Sequence, residues 1–461
     1  MDYWEIRKLV SKWIPRKTVL KPFSRNVGIK EKGRKKNYHQ FNLLNNEWEK
    51  QERLLNPNEI NSFLEISLRA SACPMPLNLD LWDGLVCPYA CIYCYANSFK
   101  KSLYTSFFDN SKTLGIRHCN PSYFKKELDK YLENKYSDNK IQKAINMRIP
   151  VRLGIRFEDF LPVERGKKVS LELLNYMADI EYPIMVNTKS NLIGEKEYVK
   201  AMARNPKRSA VHMTLISSDP EILKFMEPGA PTYEKRLEAM KNLNEAGVRV
   251  VARIEPYMIF LNDDRKRVER YIEDLLKIGV KNITFDTYSY SAKDFSIKRA
   301  FYEKGYDFER MFLLTSNSQS LGSLLLGYFM KLFRNEGISC STFDLGNVPD
   351  NDDFICCEVG KWFDGGFNYG SIIGAIYYIK NIGYDEAHWD NYVKWAESNG
   401  GFLSEEIKRE VKLLWNLEGD KAFSLNWIPG LKQIGQDKDG IIWSYEDNTD
   451  FRKETFLEGI L

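Results

Sequence analysis

Three cysteines, Cys87, Cys91 and Cys94, fall within eight residues at C-x3-C-x2-C spacing, in Asp80-Leu-Trp-Asp-Gly-Leu-Val-Cys87-Pro-Tyr-Ala-Cys91-Ile-Tyr-Cys94-Tyr-Ala-Asn97. Thiolates are soft donors that suit iron–sulfur clusters and zinc, and a closed structural zinc site takes four protein ligands. The nearest further donors, Cys73 upstream and the His118-Cys119 pair downstream, do not stand at zinc-finger spacing from the triad. A [4Fe–4S] cube held by three cysteines keeps one iron open to an exogenous ligand. The triad therefore reads as a catalytic cluster loop, with Cys87, Cys91 and Cys94 as iron ligands. The competing reading is a zinc staple in a nucleic-acid-binding module without catalysis.

A second group, Cys340, Cys356 and Cys357, sits beside the acidic stretch 350–353 and a loop rich in glycine and aromatics. Three uses are open to it. Thiols give up hydrogen atoms readily, which would suit hydrogen-donor or redox work at a catalytic mouth. With Cys73 or Cys119 they could ligate a second cluster. Buried free cysteines with no chemistry are also common.

These residues need a frame. The run 77–82 alternates apolar and polar residues, reads as a strand and leads directly into the cysteine loop. Residues 95–145 hold helical stretches broken near Asn120-Pro121. Strands are then expected over 151–157, 183–189, 210–217, 248–255 and 282–287. Helices are expected between them, over 170–180, 195–204, from Thr232 as a cap to Gly247 as a stop, and over 265–278. A last helix is expected between 292 and 333. Six such βα units imply an α/β fold with a parallel sheet, whose chemistry gathers at the carboxyl ends of the strands. The residues just past those ends are Arg156, Glu158 and Asp159; Thr188, Lys189 and Ser190; Ser217, Ser218 and Asp219; Glu255 and Tyr257; Asp286 and Tyr288.

The cysteine loop, with aromatic Tyr93 before its last cysteine, is similar to the cluster loop of the radical S-adenosylmethionine (SAM) enzymes. Several later segments resemble the spore photoproduct lyase and DNA-repair-photolyase-like branch: Asn187-Thr-Lys-Ser190, His212-Met-Thr-Leu-Ile-Ser-Ser-Asp219, Met226-Glu-Pro-Gly-Ala-Pro231 followed by Arg236-Leu, and Glu255-Pro256 leading to Leu261-Asn-Asp263. The resemblance spans about residues 73 to 290. It implies a partial (β/α)6 barrel of TIM type over 73–335; the basic N-terminal extension over 1–72 and the mainly helical C-terminal domain over 336–461, read as a cap or substrate-recognition unit, exceed what the lyase needs and point to a different substrate. The implied cofactors are a [4Fe–4S] cluster and SAM, with flavodoxin or ferredoxin as external reductant. Cleavage of SAM to a 5′-deoxyadenosyl radical, and hydrogen abstraction from a nucleobase in DNA or RNA, is the activity the resemblance favours. A peptide-modifying radical enzyme with an auxiliary cluster is the alternative.

For the individual residues, the resemblance implies that Tyr93, Tyr95 and Asn97 line the loop and that Arg156, Glu158, Lys189, Ser190, Ser217, Ser218 and Glu255 help to hold SAM. Lys189 suits the SAM carboxylate, a point-charge contact, although a surface lysine in a strand-to-helix loop has the same sequence. Ser217 and Ser218 offer hydroxyls to a ribose or cap the next helix. Glu227 could stabilise a loop. His212, within an apolar strand, reads as a hydrogen-bonded core histidine. Spore photoproduct lyase returns a hydrogen atom from a cysteine outside its cluster, for which Cys119 is the candidate nearest in the chain.

The chain has 461 residues, 43% hydrophobic and 28% charged, enough for one large core and a smaller second unit. No charge-free apolar run approaches the ~18 residues of a membrane span, and eight cysteines in this pattern fit a reducing cytoplasm. The net charge of +4 is unevenly spread. Residues 1–60 hold fourteen Lys and Arg against seven Asp and Glu, with Trp4, Trp13, Phe23, Tyr38 and Phe41 interleaved. Basic residues with stacking side chains suit a phosphate backbone and unpaired bases, while a solvated arm has the same composition. The tryptophans 389, 395, 415, 427 and 443 suit a small core, or stacking on a flipped base.

Overall fold

The computed structural model describes residues 2–13, 58–61, 65–68, 71–84, 87–94, 116–136, 139–288, 295–308, 311, 321–344, 347, 351–363, 366–401, 404–418, 425, 428 and 430–446. Tyr95, Asn97, Trp427 and most of the basic segment lie outside them.

In chain order the elements are α1 (Tyr3–Trp13), β1 (Asn58–Ile60), β2 (Glu65–Leu68), β3 (Leu77–Asp80), β4 (Trp82–Asp83), β5 (Arg117–Cys119), α2 (Pro121–Leu132), α3 (Lys140–Asn146), β6 (Val151–Leu153), α4 (Glu164–Lys167), α5 (Val169–Asp179), β7 (Ile184–Thr188), α6 (Lys196–Ala203), β8 (Ser209–Thr214), α7 (Pro220–Met226), α8 (Tyr233–Glu245), β9 (Arg249–Tyr257), α9 (Arg265–Lys277), β10 (Asn282–Thr287), α10 (Phe295–Glu303), α11 (Leu321–Asn335), β11 (Ser339–Thr342), α12 (Ile372–Asn381), α13 (Trp389–Ser398), α14 (Glu405–Trp415), β12 (Leu431–Asp437) and β13 (Gly440–Tyr445). The main sheet runs β11-β10-β9-β8-β7-β6-β3-β2. Every neighbouring pair from β3 to β11 is parallel, and β2 closes the β3 edge antiparallel.

Six of these strands are the expected βα strands; the seventh parallel strand, β11, is an addition. The sheet thus reaches past both expected boundaries, 72 and 335. Helix ends follow their caps: Thr232 Oγ1 accepts from Lys235 N at the start of α8, and Gly247, at φ +80° in open space, ends it.

The two faces of the sheet differ in chemistry. Val151, Leu153, Val186, Val211, Val250, Ile283 and Phe285 join the apolar core beneath the helices. Register places Asn78, Arg152, Met185, Asn187, Ala210, His212, Thr214, Val251, Arg253, Thr284 and Ser341 on the other face. That concave face is polar, and its amino-terminal half is filled by the segment 353–367. Met185, Ala210 and Val251 pack there with Ile355, Cys356, Cys357, Val359, Phe363 and Phe367. Glu358 is anchored at the strand beginnings by Asn282 Nδ2 (3.0 Å) and Ser339 Oγ (2.6 Å), and its carbonyl accepts from Arg249 Nη2 (3.1 Å). With one end plugged, the carboxyl end is left for chemistry.

The C-terminal unit has its own core of α12–α14 and the hairpin β12–β13, built on Trp389, Trp415 and Trp443, all buried. The hairpin is an addition to the helical expectation. Trp415 Nε1 donates to Ile441 O at 2.7 Å and Trp443 Nε1 to Trp415 O at 3.1 Å, so these two indoles serve the core and not a base. Helix α1 is docked on the barrel, not solvated. Arg7 grips Asp263 with two bonds of 2.9 and 3.0 Å, and the Tyr3 hydroxyl meets both Asp263 and the Tyr257 hydroxyl (2.8 Å). Among the described residues no helix is long and apolar enough to cross a membrane.

Candidate active site

The exits of the strands are laced to one another by carboxylates. Asp80, at the end of β3, accepts from the backbone N–H groups of Gly154, Ile155 and Arg156 at 2.8–3.1 Å. Asp159 returns the tie, accepting from Leu81 N and Trp82 N at 3.0 Å. Gly154 sits at φ +80°, and a Cβ there would fall 2.2 Å from Asn187 O, so only glycine fits the close approach. Glu158 joins the next pair of exits, accepting from Thr188 Oγ1 (2.6 Å), Lys189 N (2.9 Å) and Phe160 N (3.1 Å). Burial pushes the Glu158 carboxyl up, against the pull of these donors, and pushes Asp159 up further with the help of Asp80 and Glu158.

On this frame the cysteine loop follows β3 and β4. Cys91 is buried, and Cys87 and Cys94 are partly exposed. The loop turns through Ala90 N to Cys87 O (3.0 Å) and Cys94 N to Cys91 O (3.2 Å), with Ala90 at φ 49°. The three thiols are electrostatic neighbours: burial pushes Cys91 up, Lys189 pulls it down, and Glu227, Cys94 and Cys87 push it up again. Among the described residues no three His, Cys, Asp or Glu side chains converge closely enough to grip a metal ion. The donor set nevertheless fits a [4Fe–4S] cluster: three soft thiols in one turn, two reachable from outside, beside a cation. A cube takes its three thiolates on three different irons, so its ligands need not converge as they would on a single ion.

Lys189 is the expected residue that the structure brings to the loop. Its Nζ lies 5.5 Å from the centre of the Tyr93 ring. Burial lowers its affinity for a proton, but Cys91, Glu227 and Cys94 outweigh burial and keep it cationic. Ser190 is near but committed, accepting from Leu192 N (3.2 Å) and bonded to the Tyr89 phenol. Ser218 departs from the expectation: its hydroxyl donates to Arg267 O at 2.6 Å, tying β8 to α9, and is spent on the fold. Ser217 accepts from Asp219 N (3.1 Å), and the cap of α7 is Asp219 itself, accepting from Glu221 N. The Arg156 side chain is exposed. Glu255 faces the polar interior, paired with Arg253 and accepting from Thr284 Oγ1 at 3.1 Å. Burial raises its pKa, yet Arg253, with His212 and Thr284, outweighs burial and holds it below the ordinary carboxylate value. Asp286 goes the other way, pushed well up by burial, Glu255 and Asp344.

The remaining cysteines are not gathered at this mouth. Cys340 lies on the helix-facing side of β11, buried, with its thiol against Met330 O and Ile338 O. Cys356 and Cys357 lie in the plug at the amino-terminal half of the barrel, where Cys357 O is 2.8 Å from His212 Nε2. Three uses were open to these cysteines; β11 turns Cys340 into the helix-facing core, and Cys356 and Cys357 are buried in the plug, where Glu255 and Arg253 act on Cys357. Cys119 lies in the side sheet β1-β5-β4, its thiol over Asn120 O, and burial pushes it up to about 12. His212 is the core histidine expected, lowered to about 3 chiefly by burial.

Two features of the site escaped sequence reasoning. Asp263, in a segment similar to the lyase family, anchors α1 instead of ligand. Arg236, in another such segment, is wholly buried against Glu227, which in turn accepts from the Tyr93 hydroxyl. The spacing from Glu227 to Arg236 was the only available signal.

Residues 84–275 match the family described as the Radical SAM superfamily. An uncharacterized protein of Methanocaldococcus jannaschii is 25% identical over 179 residues, 38% of this chain and 59% of that protein. The chain thus spans less than two thirds of the length of the curated relative it matches. Among solved structures, spore photoproduct lyase complexed with dinucleoside spore photoproduct is similar at a TM-score of 0.37 and 15% identity, over 52% of this chain and 64% of that one. SuiB of Streptococcus suis bound to S-adenosylmethionine is similar at 0.33 and 13%, over 54% and 50%. The C-x3-C-x2-C loop at the exit of the first strand of a parallel βα sheet lies within residues 84–275, the stretch that matches the Radical SAM superfamily.

Proposed function

We propose that this radical SAM enzyme abstracts hydrogen from a nucleobase carried in DNA or RNA, to repair or modify the base. The observation that carries the reading is the basic, aromatic-interleaved segment 1–60, whose first helix is fastened through Arg7 and Tyr3 to Asp263 in the loop that follows β9. Residues 1–60 carry an excess of seven positive charges, and α1 docks on the loop after β9. Phosphate neutralisation by such a segment supplies affinity without sequence preference.

Bound at Cys87, Cys91 and Cys94, a [4Fe–4S] cluster with SAM supplies a 5′-deoxyadenosyl radical on one-electron reduction. The chain's own residues bind and orient. Lys189 offers a cation to the SAM carboxylate. Glu255, held low by Arg253, and Asp286, pushed up by burial and by Glu255, lie on the same polar face, where they can meet the amide-like edge of a base. Cys340 is separated from Cys356 and Cys357, whereas Cys73 lies with those two; iron counting, about four against about eight per chain, separates a single cluster from a second one.

The test is incubation of reduced, cluster-loaded protein with SAM and single-stranded or duplex oligonucleotides, with peptides as comparison, reading 5′-deoxyadenosine above the uncoupled background. Stimulation by nucleic acid is expected. Stimulation by peptides alone refutes the substrate.

A further inference from the structure

The cysteine loop is fastened along its length to the segment 226–231. Ile92 N donates to Met226 O at 3.0 Å, and Gly229 N donates to Tyr89 O at 3.1 Å. Between Cys91 and Cys94, Tyr93 sends its hydroxyl to Glu227 Oε1. Glu227 Oε2 accepts from Arg236 Nη1 at 2.5 Å, and both side chains of this ion pair are fully buried. Arg236 is held in turn by Thr214 O (3.0 Å) and Pro231 O (2.9 Å), while its Nη2 is buried without a hydrogen-bond partner among the described residues.

A buried ion pair is a poor source of stability, because desolvation of both charges offsets most of their attraction. Its position suggests another use. Glu227 is among the charges acting on Cys91 and on Lys189. Away from water, such charges act on a neighbouring redox group with little screening, and iron–sulfur potentials respond to net charge and hydrogen bonding around the cluster.

We propose that Glu227 and Arg236 are positioning residues that hold the cluster loop in shape through Tyr93 and set the reduction potential of the cluster it carries. The inference rests on the reading of Cys87, Cys91 and Cys94 as cluster ligands. Removing the negative charge of Glu227 makes an added electron more favourable, so the potential rises; removing the positive charge of Arg236 lowers it. A residue with only a packing role has no reason to give opposite signs.

The experiment is a redox titration of cluster-loaded wild type, Glu227→Gln, Arg236→Gln and the double variant, followed by electron paramagnetic resonance. The expected result is a tenfold or larger change in the reduction equilibrium, about 59 mV for one electron, upward for Glu227→Gln and downward for Arg236→Gln. The double variant should return towards wild type. Tyr93→Phe keeps the ion pair and cuts its tie to the loop, so a chelator should strip its iron about tenfold faster at a potential near wild type. Equal potentials, or shifts of one sign, overturn the inference. Should a single charge variant not fold, the double variant and Tyr93→Phe decide: iron retained by Tyr93→Phe as in wild type overturns it. A folded wild type that takes up no cluster overturns both this inference and the cluster reading.

Discussion

Replacing Gly229 by alanine should loosen the cysteine loop without touching a cysteine. A Cβ at position 229 would fall 2.1 Å from Pro88 O and 3.0 Å from both Pro88 C and Tyr89 Cα. All three atoms are backbone, so no side-chain rotation relieves the contact, and the loop must retreat by about 1 Å to reach ordinary van der Waals distance. That retreat breaks the 3.1 Å bond from Gly229 N to Tyr89 O. Overpacking costs about 1–3 kcal/mol and the lost hydrogen bond about 1 kcal/mol, together about 2–4 kcal/mol borne by the loop. Metal-site ligands tolerate only about 0.5 Å of misplacement. If half or more of that cost falls on the loaded state, iron should leave about 5-fold to 1,000-fold more readily. The assay is reconstitution with iron and sulfide, then competition with a chelator followed by absorbance. Gly247→Ala is the comparison: its φ is +80° and its surroundings are open, so it should cost about 1 kcal/mol of stability and leave iron retention alone. Iron held by Gly229→Ala as firmly as by wild type, or lost equally by both variants, refutes the reasoning.

Lys189→Met should leave iron content unchanged and weaken SAM binding about 10-fold to 150-fold, the worth of one charge-assisted contact; equilibrium dialysis with the cluster-loaded protein decides it, and unchanged affinity removes Lys189 from the SAM site. The C-terminal unit should lose stability at mildly alkaline pH through His388, whose Nδ1 is 2.7 Å from Asp437 Oδ2 and whose Nε2 is 3.1 Å from Glu386 Oε1. The bond to Asp437 raises its pKa, burial opposes it, and Glu386 adds to the rise. A raised folded value means that the stabilisation is full below the unfolded value of about 6.5 and is lost as pH rises through the folded one. Solvent access keeps the effect under about 1 kcal/mol. Tryptophan-fluorescence melts from pH 5.5 to 8.5 should show the loss in wild type and not in His388→Gln; identical profiles count against it.

The parts legible in the sequence were those that local physics determines. The helix-facing sides of β7, β8, β9 and β10 are apolar runs between capped helices, and 282–287 was bounded to the residue. The cysteine triad was legible because ligand spacing is a local property. Strand β11 was not, because Ser339, Ser341 and Thr342 offer no apolar alternation; Ser339 and Ser341 face the plug and bond to Glu358. The placement of Cys356 and Cys357 was equally hidden, since it depends on a contact between His212 and a carbonyl 145 residues away. Arg7 and Asp263 are 256 residues apart, and neither residue type announces the other. Hydroxyls gave the least away: Ser218 could serve a ribose or a carbonyl with the same sequence, and Arg267 O claims it.

One cause joins these cases. A barrel whose concave face carries chemistry must put polar residues where a strand usually puts apolar ones, which weakens the alternation by which strands are recognised. Asn78, Arg152, Asn187, His212, Arg253, Glu255 and Asp286 all belong to this face. Their fates then diverge by height in the barrel. Near the strand beginnings, Arg249 and Asn282 are consumed by the plug through Glu358. Near the strand ends, Asn187 keeps a buried side-chain oxygen without a hydrogen-bond partner among the described residues, and Asp286 is pushed up by burial, Glu255 and Asp344. An unsatisfied buried acceptor and a buried carboxyl beside like charges both cost folding free energy that packing elsewhere must offset. They stand on the half of the barrel that the plug leaves to the cysteine loop, where a bound substrate could supply the missing partners.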